Sequence, residues 1–435
     1  YTYYYNKEDN GRQFKPFKET YRYCFFALAI SLFYPNKNNV KQRIIIIILL
    51  TCIHSFMLSW FFIYTIKCLL ALDLFNTARN ITLGVLISLY FIKFFYSIYK
   101  TKVFCKVFDK ISSDLDKANT MNGCCQEIVK EYIKKAKVGE IIWIFIPILL
   151  TAQFPLYAAV RNAYYTLISD EIQRVMVHET DLMGIEDKQY ETPYFEVIFA
   201  YNSSQAVQVG ISFIGFDGSF CIASTHLRLK LKLLVHKMNA AFNRAVSRDD
   251  LKTKLKEIIR GHQEVLEFHQ DLQNGYGGWM FMIFAMTSIT MALNLYLIYV
   301  LQKMDPKYVT FTISCIIHML TPCYYSIKMC LFQASEETAV DFFCVNWEKW
   351  EDNSITKILI FMIARAQQPM VLTGMGVVYF DMQLASVDSK SRPWRPPLRG
   401  GAAPFTFTTN NRAPTRRKVL YTTRICTAKS LYVKI

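Results

Sequence analysis

His262 and His269 lie seven residues apart and so share one face of a helix, but neither has a second histidine four residues away and no HExxH motif occurs. A solvated helix accounts for both without a metal. His54 and His318 stand alone within apolar runs, where a hydrogen-bonded structural imidazole is the simpler reading than a ligand set. Twelve cysteines include no CxxC pair, and Cys124 beside Cys125 fits neither zinc nor redox spacing. Walker, GxGxxG and GxSxG motifs are missing too, so the sequence offers no signal for an enzyme, a cofactor or a bound metal.

The residues that remain as chemical candidates are the ionisable ones inside apolar stretches. Lys93, Glu140, Glu196, Asp217 and Lys328 sit toward the ends of such stretches, where a long side chain can reach headgroups. Asp381 differs, because it falls near the middle of its stretch with Gln383 close by. A water-filled or protein-lined surface, such as a pore wall, suits that pair.

Apolar runs of this length must be membrane helices. The chain is 52% apolar and 15% aromatic with only 19% charged residues, and its apolar residues are clustered. Spans are expected at Ile44–Ile66, Ile81–Tyr99, Val138–Val160, Pro193–Ile222, Trp279–Leu301, Val309–Leu331 and Pro369–Val387. The fourth carries Asn202, Ser203, Ser204, Gln205 and Gln208, which suit a cavity wall better than a lipid face. Sequons at Asn80 and Asn202 abut or enter spans, so neither is expected to carry glycan.

The net charge of +16 is distributed between the spans and in a basic tail, without a recognition helix or a basic stripe interleaved with stacking aromatics, which argues against nucleic acid as a partner. Thirty lysines and arginines fall in 1–43, 100–137, 224–275 and 332–368, against seven in 67–80, 161–192 and 302–308. The richer set belongs in the cytoplasm, with the amino terminus inside. An all-α, polytopic bundle of seven transmembrane helices follows, with cytoplasmic helical extensions. Those extensions are legible between His226 and Asn274, where apolar residues recur at helical spacing and ask for a partner to pack against.

From Gln333 the segment QASEETAVDFFCVNWEKWEDNSITKILIFMIARAQQPMVLTGMG resembles the carboxyl-terminal signature of the insect odorant receptors. Trp347, Arg365, Gln368-Pro369, Leu372-Thr373 and Gly376 carry the match, together with RGHQEVLEFHQDLQ at 260–273. The resemblance implies the tuning subunit of an odorant-gated, non-selective cation channel of olfactory neurons, assembled with a co-receptor into a heterotetramer in the plasma membrane. It further implies a cytoplasmic anchor within 224–275 and 332–368, where Trp347, Arg365 and Pro369 would hold subunits together. The last helix, with Asp381 and Gln383, would line the pore.

Small volatile odorants would bind in the outer half of the bundle. That region has no fixed motif, so residues are chosen by depth and by the need for apolar and aromatic walls with one or two polar groups. They are Leu86, Leu89 and Tyr90, then Phe154 and Tyr157, then Phe199, Tyr201 and Gln205, and finally Cys315 and His318. For each of them plain helix packing is the competing explanation.

A G-protein-coupled receptor would need the opposite topology and motifs such as DRY or NPxxY, and a gustatory receptor-like channel would need a TYxxxxxQF-type ending, none of which occurs. Three regions are expected: a cytoplasmic segment 1–43, the receptor and channel domain 44–387, and a basic tail 388–435. From Ser389 onward there are eleven Lys or Arg and no Asp or Glu, with five Pro and Gly residues between Pro393 and Gly401. Seven spans would place this tail outside, against the charge rule, so it reads as a non-native or disordered extension, such as translated intron, with a genuine divergent tail as the alternative. A first residue of Tyr1 rather than Met likewise suggests a true start upstream.

Overall fold

A computed structural model describes residues 13–34, 40–168, 173–178, 182, 185–186, 188–299, 309, 311–313, 315–317, 331–350, 352–368 and 370–379. His318, Lys328, Pro369, Asp381, Gln383, most of the expected sixth span and all of 388–435 lie outside them.

The first two helices, α1 (Phe17–Thr20) and α2 (Arg22–Ile30), fall in the segment expected to be merely polar and basic. They pack because their apolar residues share a face: Phe17 stacks on Phe108 at 4.8 Å, and Cys24 and Leu28 are buried. Four long helices follow: α3 (Val40–Leu70), α4 (Leu74–Tyr99), α5 (Thr101–Ala118) and α6 (Gly123–Thr151). Asp73 caps α4 by accepting the Asn76 N–H, and Asn122 caps α6 by accepting that of Cys125. A bend of 51° separates α6 from α7 (Gln153–Leu167). Pro155 explains the break, since it has no N–H to give the Thr151 carbonyl and its ring crowds that oxygen.

Beyond the 161–192 connection come α8 (Tyr194–Arg244) and α9 (Arg248–Tyr299). Each is a single helix more than fifty residues long, so each reaches about 75 Å at about 1.5 Å per residue. The fourth span therefore runs on into, and the fifth grows out of, the amphipathic helices expected between them. Then follow α10 (Leu331–Phe343), a 3₁₀ turn at Trp347–Trp350 and α11 (Asn353–Ala366).

Among the described residues four helices, α3, α4, α8 and α9, are long and apolar enough to cross a membrane, and the bent α6–α7 pair makes a fifth. The chain is a multi-pass membrane bundle. Outward faces of α3 such as Ile45, Ile48, Phe56 and Phe62 stay exposed, as a lipid-facing helix requires.

Two cores hold the fold. The larger joins α2, α4, α5, α6, α8 and α9 around Trp143, Phe213, Phe216, Tyr276 and Trp279. The second joins the far ends of α8 and α9 to α10 and α11 through Met238, Phe242, Leu255, Phe342, Leu359 and Met362. Part of what the amphipathic stripes pack against is thus their own chain.

Residues expected to begin the last span are not helical. Thr373 pairs with Tyr379 and Gly374 with Val378 as a short antiparallel hairpin, β1 (Thr373–Gly374) and β2 (Val378–Tyr379). The reason is local: Met375 and Gly376 both have positive φ, 53° and 74°, at the centre of a primed turn that the Val377 N–H closes on the Gly374 carbonyl at 3.0 Å, within a three-residue loop. Gln273 of α9 pins the hairpin by donating to the Thr373 carbonyl at 2.7 Å and accepting its N–H at 2.8 Å.

Candidate functional site

The polar residues inside the bundle divide into those that hold helices together and those that face one another at the end bearing the 161–192 connection. Lys93, Asp217 and Glu140 are of the first kind, which corrects the expectation that they reach headgroups. Lys93 is fully buried and its ammonium meets Asp217 at 2.9 Å, while Trp279 donates to the other carboxylate oxygen at 2.7 Å. The faces of Phe213 and Trp279 complete the cation's surroundings at 3.5 and 4.5 Å. Glu140 accepts the Cys24 N–H at 2.8 Å and so caps the first turn of α2 from another helix.

Nearer the 161–192 end, α3 turns one polar residue inward. His54 lies 2.6 Å from Gln208 through Nε2, and its Nδ1 is 3.1 Å from Gln205 and 3.3 Å from the Tyr201 hydroxyl. Gln205 also donates to Tyr201 one turn away, and Tyr90 and Phe91 of α4 set their rings edge-on to the imidazole at 5.8 and 6.1 Å. These groups come from α3, α4 and α8, and each i to i+4 pair on α8 follows from helical phase.

An apolar group lies beyond it. Phe154 of α7 packs on Phe311 at 5.2 Å, with Cys315, Leu150 and the half-buried Leu86 around them. Leu86 touches both this cluster and the main core. His178, in the 161–192 connection, meets Phe154 and Phe61 with ring centroids 5.8 Å away in each case. Burial, then the nearby Arg79 guanidinium, pushes the His178 pKa down to about 4, so the ring is neutral at ordinary pH.

The sequence-chosen residues separate accordingly. Tyr90, Tyr201 and Gln205 gather around His54, whereas Leu86, Phe154 and Cys315 form the apolar group. Leu89 is a core residue at 3% exposure, Phe199 stacks on Phe195, and Tyr157 is half-buried on α7. His54, Gln208, Phe61, His178 and Phe311 join these groups without having been among the residues chosen by depth, although His54 was expected as a hydrogen-bonded imidazole and Gln208 on a cavity wall. Phe61 could have been found, since it follows His54 by seven residues and hence shares its face. His178 carried no such signal in a loop.

At the opposite end Trp347 packs against the second core, while Arg365 is exposed and donates to Gln368. Between the cores, Asp114 accepts from His226 at 3.1 Å and Lys230 at 2.7 Å. Burial alone would raise the Asp114 carboxyl, but these two donors hold it well below the usual carboxylate range. Asn80 and Asn202 are both buried, so neither sequon is presented. No group of three or more His, Cys, Asp or Glu suited to a metal occurs among the described residues.

Comparison with known proteins gives three findings. The family described as 7tm Odorant receptor matches residues 73–387. Odorant receptor 22b of Drosophila melanogaster is 25% identical over 166 residues, which are 38% of this chain and 41% of that protein, so the match spans about two fifths of the relative's length. The insect olfactory receptor OR5 from Machilis hrabei superposes with a TM-score of 0.65 at 14% identity, covering 85% of this chain and 93% of that one. Its structure in complex with eugenol gives a TM-score of 0.59 over the same shares.

Proposed function

Because the chain belongs to the 7tm odorant receptor family, we propose that it is the ligand-binding tuning subunit of an odorant-gated, non-selective cation channel. It works in the plasma membrane of olfactory neurons beside a co-receptor subunit, in a heterotetramer, with its amino terminus in the cytoplasm. One observation carries the ligand-binding part. An aromatic and aliphatic cluster of Phe154, Phe311, Leu86 and Cys315 lies at the 161–192 end of the bundle, with Tyr90 one turn from Leu86 on α4. A small volatile molecule offers a large apolar surface and one or two polar atoms, and these walls answer both needs.

The rest of the reading follows from the family. The second core, with Trp347 against it and Arg365 exposed beside it, suits a cytoplasmic anchor whose outer face meets other subunits. Asp381 and Gln383, outside the described residues, are assigned to the pore lining on the family resemblance.

Whole-cell current in cells expressing the chain with and without a co-receptor tests the proposal, with eugenol among a panel of volatiles as a first probe. Odorant-evoked cation current that needs both subunits is expected. Robust current from this chain alone would contradict the heteromer, and silence from a surface-expressed pair across the panel would contradict the receptor reading.

A further inference from the structure

The segment that carries His178 is tied down by side chains at Arg174 and Val175. The Asn162 side chain of α7 grips Val175 at two points, donating to its carbonyl at 2.9 Å and accepting its N–H at 2.7 Å. Arg174 ties the same segment to the start of α8 through the Tyr190 carbonyl at 3.0 Å and the Thr192 hydroxyl at 2.9 Å. Met176 and Val177 are buried, at 5% and 7% exposure. The imidazole three residues after the grip is therefore positioned, not loosely attached.

It is positioned against aromatic rings. His178 is 9% exposed, and the Phe61 and Phe154 rings stand at 73° and 57° to its plane. Its Nδ1 is buried and has no hydrogen-bond partner among the described residues. Buried polar atoms in folded proteins nearly always have partners, so an unmet nitrogen among apolar walls marks a place where another molecule supplies one. Neighbouring His54, by contrast, has both nitrogens engaged by Gln208, Gln205 and Tyr201.

We propose that His178 is the hydrogen-bonding subsite of the odorant site, and that it selects uncharged oxygenated volatiles, namely alcohols and carbonyl compounds, held against Phe61 and Phe154. This rests on the receptor reading above and adds a ligand class to it. A neutral imidazole can offer an N–H to a carbonyl or a lone pair to a hydroxyl, depending on tautomer. A hydrocarbon would leave the nitrogen unmet. An amine would bring a cation into apolar walls near the Arg79 guanidinium, whose field already opposes positive charge at the ring.

The test uses the full chain with a co-receptor and two matched sets: benzyl alcohol, benzaldehyde, toluene and benzylamine, and hexanol, hexanal, hexane and hexylamine. Oxygenated members should be the agonists. His178→Phe keeps a ring but removes both nitrogens, and should raise their EC50 about tenfold while leaving any weak hydrocarbon response unchanged. His178→Asn, whose amide returns a polar atom near the Nδ1 position, should recover most of the loss; the unchanged hydrocarbon response and surface labelling exclude misfolding.

Agonism confined to hydrocarbons or amines, or equal shifts for oxygenated and hydrocarbon members, would overturn the proposal while leaving the receptor reading intact. An unshifted oxygenated agonist would do the same and would assign the nitrogen to water. Silence of the surface-expressed wild type to every compound would remove both readings.

Discussion

Two buried polar regions of this bundle are built on opposite principles. At the junction of α4, α8 and α9, both Asp217 oxygens are met by Lys93 and Trp279, and aromatic faces enclose the ammonium. At the 161–192 end, His178 Nδ1, both amide atoms of Asn80 and the amide oxygens of Asn202 and Asn294 are buried without partners among the described residues. A satisfied polar group in a membrane helix fixes how helices sit. One left unsatisfied keeps room for a molecule that arrives later. On the function proposed above, the first region is structural and the second is where recognition is placed.

Breaking the junction should have the largest effect. Lys93→Met leaves Asp217 buried beside Trp279 without its cation, which should cost about 3–5 kcal/mol and appear as loss of monodisperse protein in detergent. Adding Asp217→Leu should recover much of that loss, because no charge is then stranded. A double variant no better than the single would break the assignment of the pair as an ionic junction.

Next comes Gly215 on α8, where an added Cβ would lie 2.7 Å from the Leu28 nitrogen of α2. That neighbour is backbone and cannot swing away, so Gly215→Val should destabilise by about 1–3 kcal/mol, read as a lower melting temperature. An unchanged melting temperature would show that α2 does not dock there.

At the recognition end, His54→Phe should change stability more than agonist potency, because both imidazole nitrogens are already engaged. It removes contacts to Gln205, Gln208 and Tyr201 while keeping a ring against Tyr90. A loss of about 1 kcal/mol, read as a lower melting temperature, is expected with the EC50 of surface receptor within about twofold. A several-fold EC50 change at an unchanged melting temperature would move His54 to the recognition class. The smallest effect belongs to Lys106, whose side chain is 64% exposed and pairs with Asp271 at 2.8 Å. Lys106→Ala should alter stability by less than about 1 kcal/mol, measured by thermal melting.

The sequence shows why these regions differ in how readily they can be found. Spans are continuous in the chain, so hydropathy located α3, α4, α8 and α9, and helical phase located the stripes that meet in the second core. The partner of Lys93 is 124 residues away, and no periodicity in α4 points to Asp217. For the same reason the capping of α2 by Glu140 could not be read, nor the docking of α2 against Gly215. The hairpin at Thr373–Tyr379 was hidden by its apolar content, although Gly374 and Gly376 two residues apart are a turn signal that deserved more weight than hydropathy. At the candidate site the sequence supplied Leu86, Tyr90, Phe154, Tyr201, Gln205 and Cys315, because intramembrane aromatics and amides can be chosen by depth. It could not supply His178, which the Asn162 and Arg174 contacts to the loop bring against Phe154.

The division of labour between the two ends is tested most directly by concentration–response curves for odorant-evoked current, normalised to surface receptor, for Phe154→Ala beside Trp347→Ala. Phe154 packs on Phe311 in the apolar cluster, whereas Trp347 packs against the second core. Phe154→Ala should raise the EC50 about tenfold or more with the yield of assembled complex unchanged. Trp347→Ala should lower the yield of complex and leave the EC50 of the surviving channels within about twofold, since it touches no ligand. An unshifted EC50 in Phe154→Ala, or a large shift in Trp347→Ala, would contradict the placement of recognition at the 161–192 end.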